Sequence, residues 1–434
     1  MKPSPLRATA HRIVSAVAIG AVVGVLTAVT VILYKVCAAY LIDLSANGYE
    51  WIRTHIYLLI PLVILLFGIA KGLAVLYRST PALQGGGIPA SIGILHGVLS
   101  FHWLKVLVGT FLLSLFSFLL GVPLGNEGPS VQIGTALGRG WTSALPKRFC
   151  GWDRLAMTGG ACSGFATATG APISGILFAI EEVDNRLHPL WLTVVAVSVL
   201  TARITTELLA PLCQVSVSLF PHLQTVTLPL HDLWIPAVIG IVMGAFAVVF
   251  LTFYRALQTL FLHRLGHIGQ EYRLFTVLLL TVACGMWSLS FVSTGHHLIN
   301  DLFSEPYTLS VLITIVTVRS ILTISANVNG CTGGTFIPLL AIGAGTAALF
   351  GNLLSQVIYL PTQYGTLIAV CGIVACIAGI MKMPLTAVAF ALEALSCHNN
   401  IPAVVITAII AFAIPKLLHI ESINEMVLAR HKNA

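Results

Sequence analysis

Glu127 stands alone. It is the only Asp, Glu, Lys or Arg between Lys105 and Arg139, and twenty-one uncharged residues precede it. An ionisable group in so apolar a setting is a functional candidate by default. It lies two residues ahead of Pro129, and proline favours the first helical position, where its missing N–H would be unpaired anyway. A helix N-terminus carries partial positive charge and free N–H donors, which suits it to anions. A carboxylate resting there competes with a bound anion when ionised and is released when protonated. One residue so placed serves as gate and proton carrier. The plainer role is a charge–dipole contact worth ~0.3–1 kcal/mol, which fits a surface helix better than this apolar one.

Three segments share the form GxxxP: Gly85-Gly-Gly-Ile-Pro89, Gly125-Asn-Glu-Gly-Pro129 and Gly334-Thr-Phe-Ile-Pro338. The residue before each proline is pushed out of helical geometry, and the glycines let unwound backbone approach something closely. Such backbone survives at membrane depth only where it is buried in protein or lines a cavity. A lone example reads more readily as a kink or packing notch; three together predict an anion site between helix N-termini. Glu181 and Glu182 close a later apolar motif. Glu182 is positioned to relay protons, whereas Glu181, which recurs as Glu393, reads as a structural helix-end residue. Arg203 and Glu207 fall four apart and are expected to pair. His263 and His267 share that spacing without a nearby carboxylate, so no metal site is expected. Nine cysteines without a CxxC pair read as small buried residues. No HExxH or GxSxG supports an intramembrane enzyme.

The elements that must hold these residues follow from composition. Of 434 residues, 9% are charged and 57% hydrophobic, where a soluble domain carries roughly a quarter charged. Seven runs lack charge: Ile13–Tyr34, Val106–Asn126, Leu155–Ile180, Leu233–Tyr254, Leu274–Asn300, Ser320–Met381 and Ala394–Pro415. Each meets the ~20 residues that cross a bilayer as helix, so an all-α polytopic membrane protein is expected. The runs do not alternate as barrel strands would. The first is too long for a signal-peptide core and is read as a retained span. The +7 net charge reflects topology, with no basic patch for nucleic acid. Lys2, Arg7 and Arg12 before the first span, with Arg430 and Lys432 after the last, predict cytoplasmic termini. Arg139, Lys147, Arg148 and Arg154 mark another cytoplasmic loop.

The chain also repeats. Ala171–Glu181 matches Met383–Glu393 in residue type at an offset of 212, and Gly125–Pro129 parallels Gly334–Pro338 at an offset of 209. Two segments at nearly one offset indicate duplicated halves, roughly 12–212 and 228–430, within a single transmembrane domain over 1–434. The chain ends fourteen residues after Ile420, too few for a cytoplasmic regulatory domain. Sequence alone leaves the halves parallel or inverted.

At this point Gly125-Asn-Glu-Gly-Pro-Ser-Val-Gln-Ile-Gly134 resembles the signature of the CLC chloride channels and proton-coupled antiporters. Gly85–Pro89, Gly334–Pro338 and Gly170–Glu182 resemble further motifs of that family in the same order, covering almost the whole chain. The resemblance implies a homodimer in a bacterial inner membrane, each subunit built of two inverted halves with tilted and re-entrant helices around one anion pathway. It implies no cofactor. By position, Glu127 matches the gating glutamate and Glu182 the internal proton-transfer glutamate of the antiporters. Gly86, Gly87, Ile88, Asn126, Gly128, Thr335, Phe336 and Ile337 would line the anion site. The departures are specific. Chloride members usually carry a serine where Gly86 stands and an arginine where Asn126 stands. A tyrosine whose hydroxyl reaches the anion falls at Asn424 when Glu421–Arg430 is aligned without gaps. Loss of the serine and arginine is similar to the fluoride-exporting branch, which implies fluoride/proton antiport; chloride/proton antiport or a chloride channel is the alternative.

Overall fold

The computed structural model describes residues 5–146, 151–183, 188–221, 223–304, 307–358 and 360–433, with side chains placed from 10 to 430. The basic residues Lys2, Lys147 and Arg148, and the side chains of Arg7 and Lys432, lie outside that description. The described chain is helical: α1 (Pro5–Thr54), α2 (Leu59–Ser79), α3 (Gly87–Leu95), α4 (Trp103–Leu119), α5 (Glu127–Ala144), α6 (Asp153–Thr169), α7 (Pro172–Phe178), α8 (Pro189–Leu209), α9 (Trp234–Thr259), α10 (Gln270–Trp287), α11 (His296–Ser304), α12 (Leu309–Val328), α13 (Phe336–Ser355), α14 (Gly365–Ile380), α15 (Pro384–Glu393), α16 (Ile401–Leu417) and α17 (Ile423–Asn433). Helices satisfy their own backbone groups, the condition for crossing hydrocarbon.

Among the described residues, eight helical stretches are long and apolar enough to cross a bilayer. Five of them contain, lie within or largely overlap charge-free runs, and the other three carry charge. Ile56–Ser79 includes Lys71 and Arg78, Pro189–Leu209 includes Arg203 and Glu207, and Leu309–Val328 includes Arg319. Leu155–Ile180, expected as one span, is instead broken. Gly170 at φ +72° ends α6 in the left-handed conformation and Pro172 opens the seven-residue α7. Gly121, at φ +73°, likewise follows α4. Apolar content reports depth; glycine and proline decide where a helix stops. Arg319 shows how a span tolerates charge. It is 1% exposed and donates to the carbonyls of Ser290, Val292 and Ser293 at 2.9, 3.0 and 2.9 Å, facing protein as intramembrane charges do.

Two reciprocal contacts relate the halves. Gly125 and Gly334, equivalent in the repeat, pair as an antiparallel bridge, each N–H meeting the other's carbonyl at 2.6 and 2.7 Å. Glu181 accepts from the N–H groups of Leu385 and Thr386, both at 2.8 Å. Its equivalent Glu393 accepts from those of Ile173 and Ser174, both at 2.9 Å. Exchange between equivalent residues requires a two-fold axis. The antiparallel bridge fits the inverted halves that the resemblance implies.

Helices α5 and α6 pack backbone to backbone. A Cβ on Gly134 would strike Gly160 O, one on Gly138 would strike Ala156 O, and one on Gly164 would strike Ser130 O. These contacts step four residues along both helices in opposite senses, an antiparallel register that sets Glu127 opposite Thr167.

Candidate functional site

The three glycine loops meet. A Cβ on Gly87 would strike the Gly128 carbonyl, and one on Gly128 would lie 2.7 Å from Gly334 Cα and 3.1 Å from Gly87 N. Only bare backbone closes this crossing, which brings the N-termini of α3, α5 and α13 together. Each helix begins two residues before its proline, at Gly87, Glu127 and Phe336. The expectation that proline opens the helix is therefore corrected. Pro89, Pro129 and Pro338 occupy the third helical position, where an N–H still lacks an intrahelical acceptor.

The N-cap residues are Gly86, Asn126 and Thr335, and none makes a side-chain cap bond. The short helices α7 and α15 differ, since Glu393 and Glu181 cap them. Glu181 thereby takes the structural helix-end role expected of it. So the N-termini of α7 and α15 are each held by a carboxylate from the other half, while the three that meet at the glycine crossing are open. The first residues of the open three, Gly87, Ile88, Gly128, Phe336 and Ile337, form one buried group around Glu127.

Glu127 is fully buried, and neither carboxyl oxygen has a hydrogen-bond partner among the described residues. The carboxyl lies toward the N–H of Glu127 and of Ile337, the first turns of α5 and α13, without closing a bond to either. It therefore occupies space in front of two uncapped helix ends, a position that an anion would also favour. Asn126 Oδ1 is unpartnered too. The Phe336 ring packs edge-on against Phe165 and Phe390, at centroid distances of 5.2 and 5.4 Å, and Phe165 stacks on Phe178 at 4.9 Å. Phe178 and Phe390 are repeat equivalents, so this aromatic cluster ties the start of α13 to both capped helices.

Glu182 lies elsewhere, in the turn Ala179–Val183 after α7. It lines a cavity of about 530 Å³ with His96, Lys382, Lys416, Asn424 and Glu425. Asn424 Nδ2 donates to Glu182 Oε1 at 3.1 Å. The position aligned with an anion-coordinating tyrosine is thus brought to Glu182, and Glu127 is not among its hydrogen-bond partners. Beside it, Glu425 caps the start of α17 through the Ser422 N–H at 2.5 Å and pairs with Lys382 at 3.0 Å. Partial burial alone would push the Glu425 carboxyl up. The Ser422 N–H and the Lys382 ammonium outweigh it and hold Glu425 below the usual carboxylate range.

Sequence reasoning missed Lys35. It is the only charge between Arg12 and Asp43, which was the available signal. Its Nζ donates to Thr167 O at 3.5 Å and Ser216 O at 3.3 Å. Thr167 is the residue in register with Glu127, and the Lys35 and Glu127 charges lie within interaction range. The Thr167 hydroxyl, buried beside them, has no hydrogen-bond partner among the described residues. Eight residues on, Asp43 lines a separate cavity of about 280 Å³ with Tyr49, His297, Asp301 and Arg319. Arg203 and Glu207 pair at 2.7 Å, as their spacing predicts. Among the described residues no group of three or more His, Cys, Asp or Glu is arranged to hold a metal.

With this geometry in place, comparisons with known proteins are informative. The family profile described as voltage gated chloride channel matches residues 69–416. The chain is similar to the "H(+)/Cl(-) exchange transporter ClcA" of Salmonella arizonae, 27% identical over 425 residues, covering 94% of this chain and 87% of the relative. The protein of that name from Vibrio parahaemolyticus is 28% identical over 397 residues, covering 89% and 84%. Among solved structures, a slow cyanobacterial Cl−/H+ antiporter superposes with a TM-score of 0.84 at 22% identity, covering 96% of this chain and 98% of that one. A CLC-type fluoride/proton antiporter superposes at 0.76 and 20% identity, with the same coverage.

Proposed function

The chain belongs to the voltage gated chloride channel family, and from that premise we propose that it is a proton-coupled anion antiporter. One observation carries the reading: the Glu127 carboxyl stands unbonded in front of the uncapped N-termini of α5 and α13. Ionised, it is held by the two helix ends and excludes an anion. Protonated, it loses that attraction, leaves the position and admits one. Each cycle thus moves a proton against an anion. Glu182, in the cavity beside Lys382 and Asn424, takes the proton at the other end. The backbone of Gly86–Ile88, Asn126–Gly128 and Thr335–Ile337 lines the anion position. The same reading makes the chain a homodimer in a bacterial inner membrane, with cytoplasmic termini and halves over 12–212 and 228–430 in one transmembrane domain.

For the cargo we propose chloride first. The exchange transporters at 27–28% identity carry that anion in their names, and Glu182 retains the internal acid of a chloride antiporter. Fluoride is the second reading, favoured by Gly86 and Asn126 in place of serine and arginine.

The test is anion efflux from proteoliposomes, chloride against fluoride, with external pH recorded together. Opposed proton movement driven by either anion supports antiport, and the faster anion identifies the cargo. Glu127→Gln is expected to abolish proton movement, because an amide cannot carry the proton. Unchanged anion-driven proton uptake in that variant refutes the assignment.

A further inference from the structure

The first glycine loop brings no polar side chain to the candidate anion position, but a side chain of another element lies beside it. A Cβ on Gly86 would meet Asn327 Nδ2 at 3.5 Å, with Pro89 Cδ at 3.5 Å and Gly333 O at 3.8 Å. Asn327 is the next-to-last residue of α12 and is 2% exposed. Its Oδ1 accepts from the Tyr254 hydroxyl at 2.6 Å. That bond orients the amide, with the carbonyl toward α9 and the NH2 toward Gly86. Neither N–H of Nδ2 finds an acceptor among the described residues. The NH2 end is thus the one left free on the loop side, where an anion could take up its N–H groups.

The distance between Asn327 and the loop is fixed from a third side. Arg430, from α17, donates to Val328 O at 2.7 Å and to Gln84 Oε1 at 2.8 Å. It therefore clamps the residue after Asn327 to the residue before the glycines. Gly85 N–H closes the same join on Gly330 O at 3.2 Å. Mere support of Tyr254 would need only the carbonyl end of the amide, and leaves the other end unexplained.

We infer that the Asn327 amide is the side-chain ligand of the transported anion, supplying from α12 the donor that Gly86 lacks, with Tyr254 as its positioning residue. The inference rests on the antiport reading above. Selectivity at this position is then set by an amide held by a tyrosine rather than by a hydroxyl on the first loop.

The test uses the full chain in detergent, titrated calorimetrically with sodium chloride and sodium fluoride, beside proteoliposome flux. Asn327→Leu removes the donors at similar volume and is expected to weaken chloride binding about tenfold, the scale of one hydrogen bond to a charged group. Adding Gly86→Ser to Asn327→Leu restores a donor where a Cβ has ordinary contacts, and should recover affinity to within about threefold of the parent. Tyr254→Phe frees the amide and should weaken binding less than Asn327→Leu does. A purely structural Asn327 predicts lower thermal stability without rescue by Gly86→Ser. Anion affinity unchanged in Asn327→Leu overturns the inference. If that variant does not fold, Gly86→Ser alone decides: a second donor beside the amide should tighten chloride binding by about threefold or more, and unchanged affinity overturns the inference. A parent chain that moves no anion against protons overturns the antiport reading instead.

Discussion

Removing the reciprocal helix caps should destabilise the fold unequally. Glu181 holds the first turn of α15 through the N–H groups of Leu385 and Thr386, both at 2.8 Å, and the Thr386 hydroxyl at 2.6 Å. Glu393 holds α7 through two N–H groups, both at 2.9 Å. A hydrogen bond to a charged group contributes about 1.5–3 kcal/mol. The bonds do not add in full, since the freed Thr386 hydroxyl can turn to a carbonyl of its own helix. Glu181→Ala should therefore cost roughly 3–5 kcal/mol and Glu393→Ala roughly 2–4 kcal/mol. The double variant should cost less than the sum, because Ser174 Oγ also donates to Thr386 O at 3.1 Å and joins the two sites. Equilibrium denaturation in mild detergent, followed by tryptophan fluorescence, measures all three. Turnover per folded molecule should persist, because both carboxylates are committed to helix ends. Losses below about 0.5 kcal/mol in both single variants would refute the capping argument. Lost proton coupling at full stability in Glu181→Ala would place that residue on the proton path.

Lys35→Met should raise the anion KM about fivefold, the loss of roughly 1 kcal/mol of attraction near Glu127, with Lys35→Arg restoring it; an unchanged KM in flux assays refutes the role. Gly128→Ala would place a methyl 2.7 Å from Gly334 Cα. Backbone cannot yield there without opening the Gly125–Gly334 bridge, so the variant should lose anion binding and monodispersity on size exclusion; wild-type exchange would contradict the crossing. Glu425 is held below its ordinary value in the fold. Its anchoring of α17 is therefore present above about pH 4.3 and lost as pH falls through the lower folded value. Hydrogen exchange of α17, corrected for intrinsic rates, should rise over that window, and Glu425→Gln should flatten the response.

Much of this molecule is written locally. Long uncharged runs force helices into lipid, and glycine followed by proline breaks them. The duplicated motifs announce two halves, and one acid amid apolar residues announces Glu127. The repeat of Glu181 as Glu393 was enough to mark a helix-end role. What the sequence could not say is whom these residues meet. Glu181 caps the opposite half, Asn424 reaches Glu182, and Lys35 reaches the residue opposite Glu127. Charged spans were overlooked because a run of apolar residues is scored without its neighbours, whereas the Arg319 guanidinium is hydrogen-bonded by three carbonyls that arrive from another loop.

The proline positions were shifted for a similar reason. Proline fits any of the first helical positions, and the residues that begin each helix were chosen by the crossing of three glycine loops. Periodicity and propensity act over a few residues, so they determined which segments are helical and which ends stay open. The proposed anion position requires that ends from both halves be brought face to face. Backbone packing at Gly87, Gly128 and Gly334 does that, and no single segment specifies it.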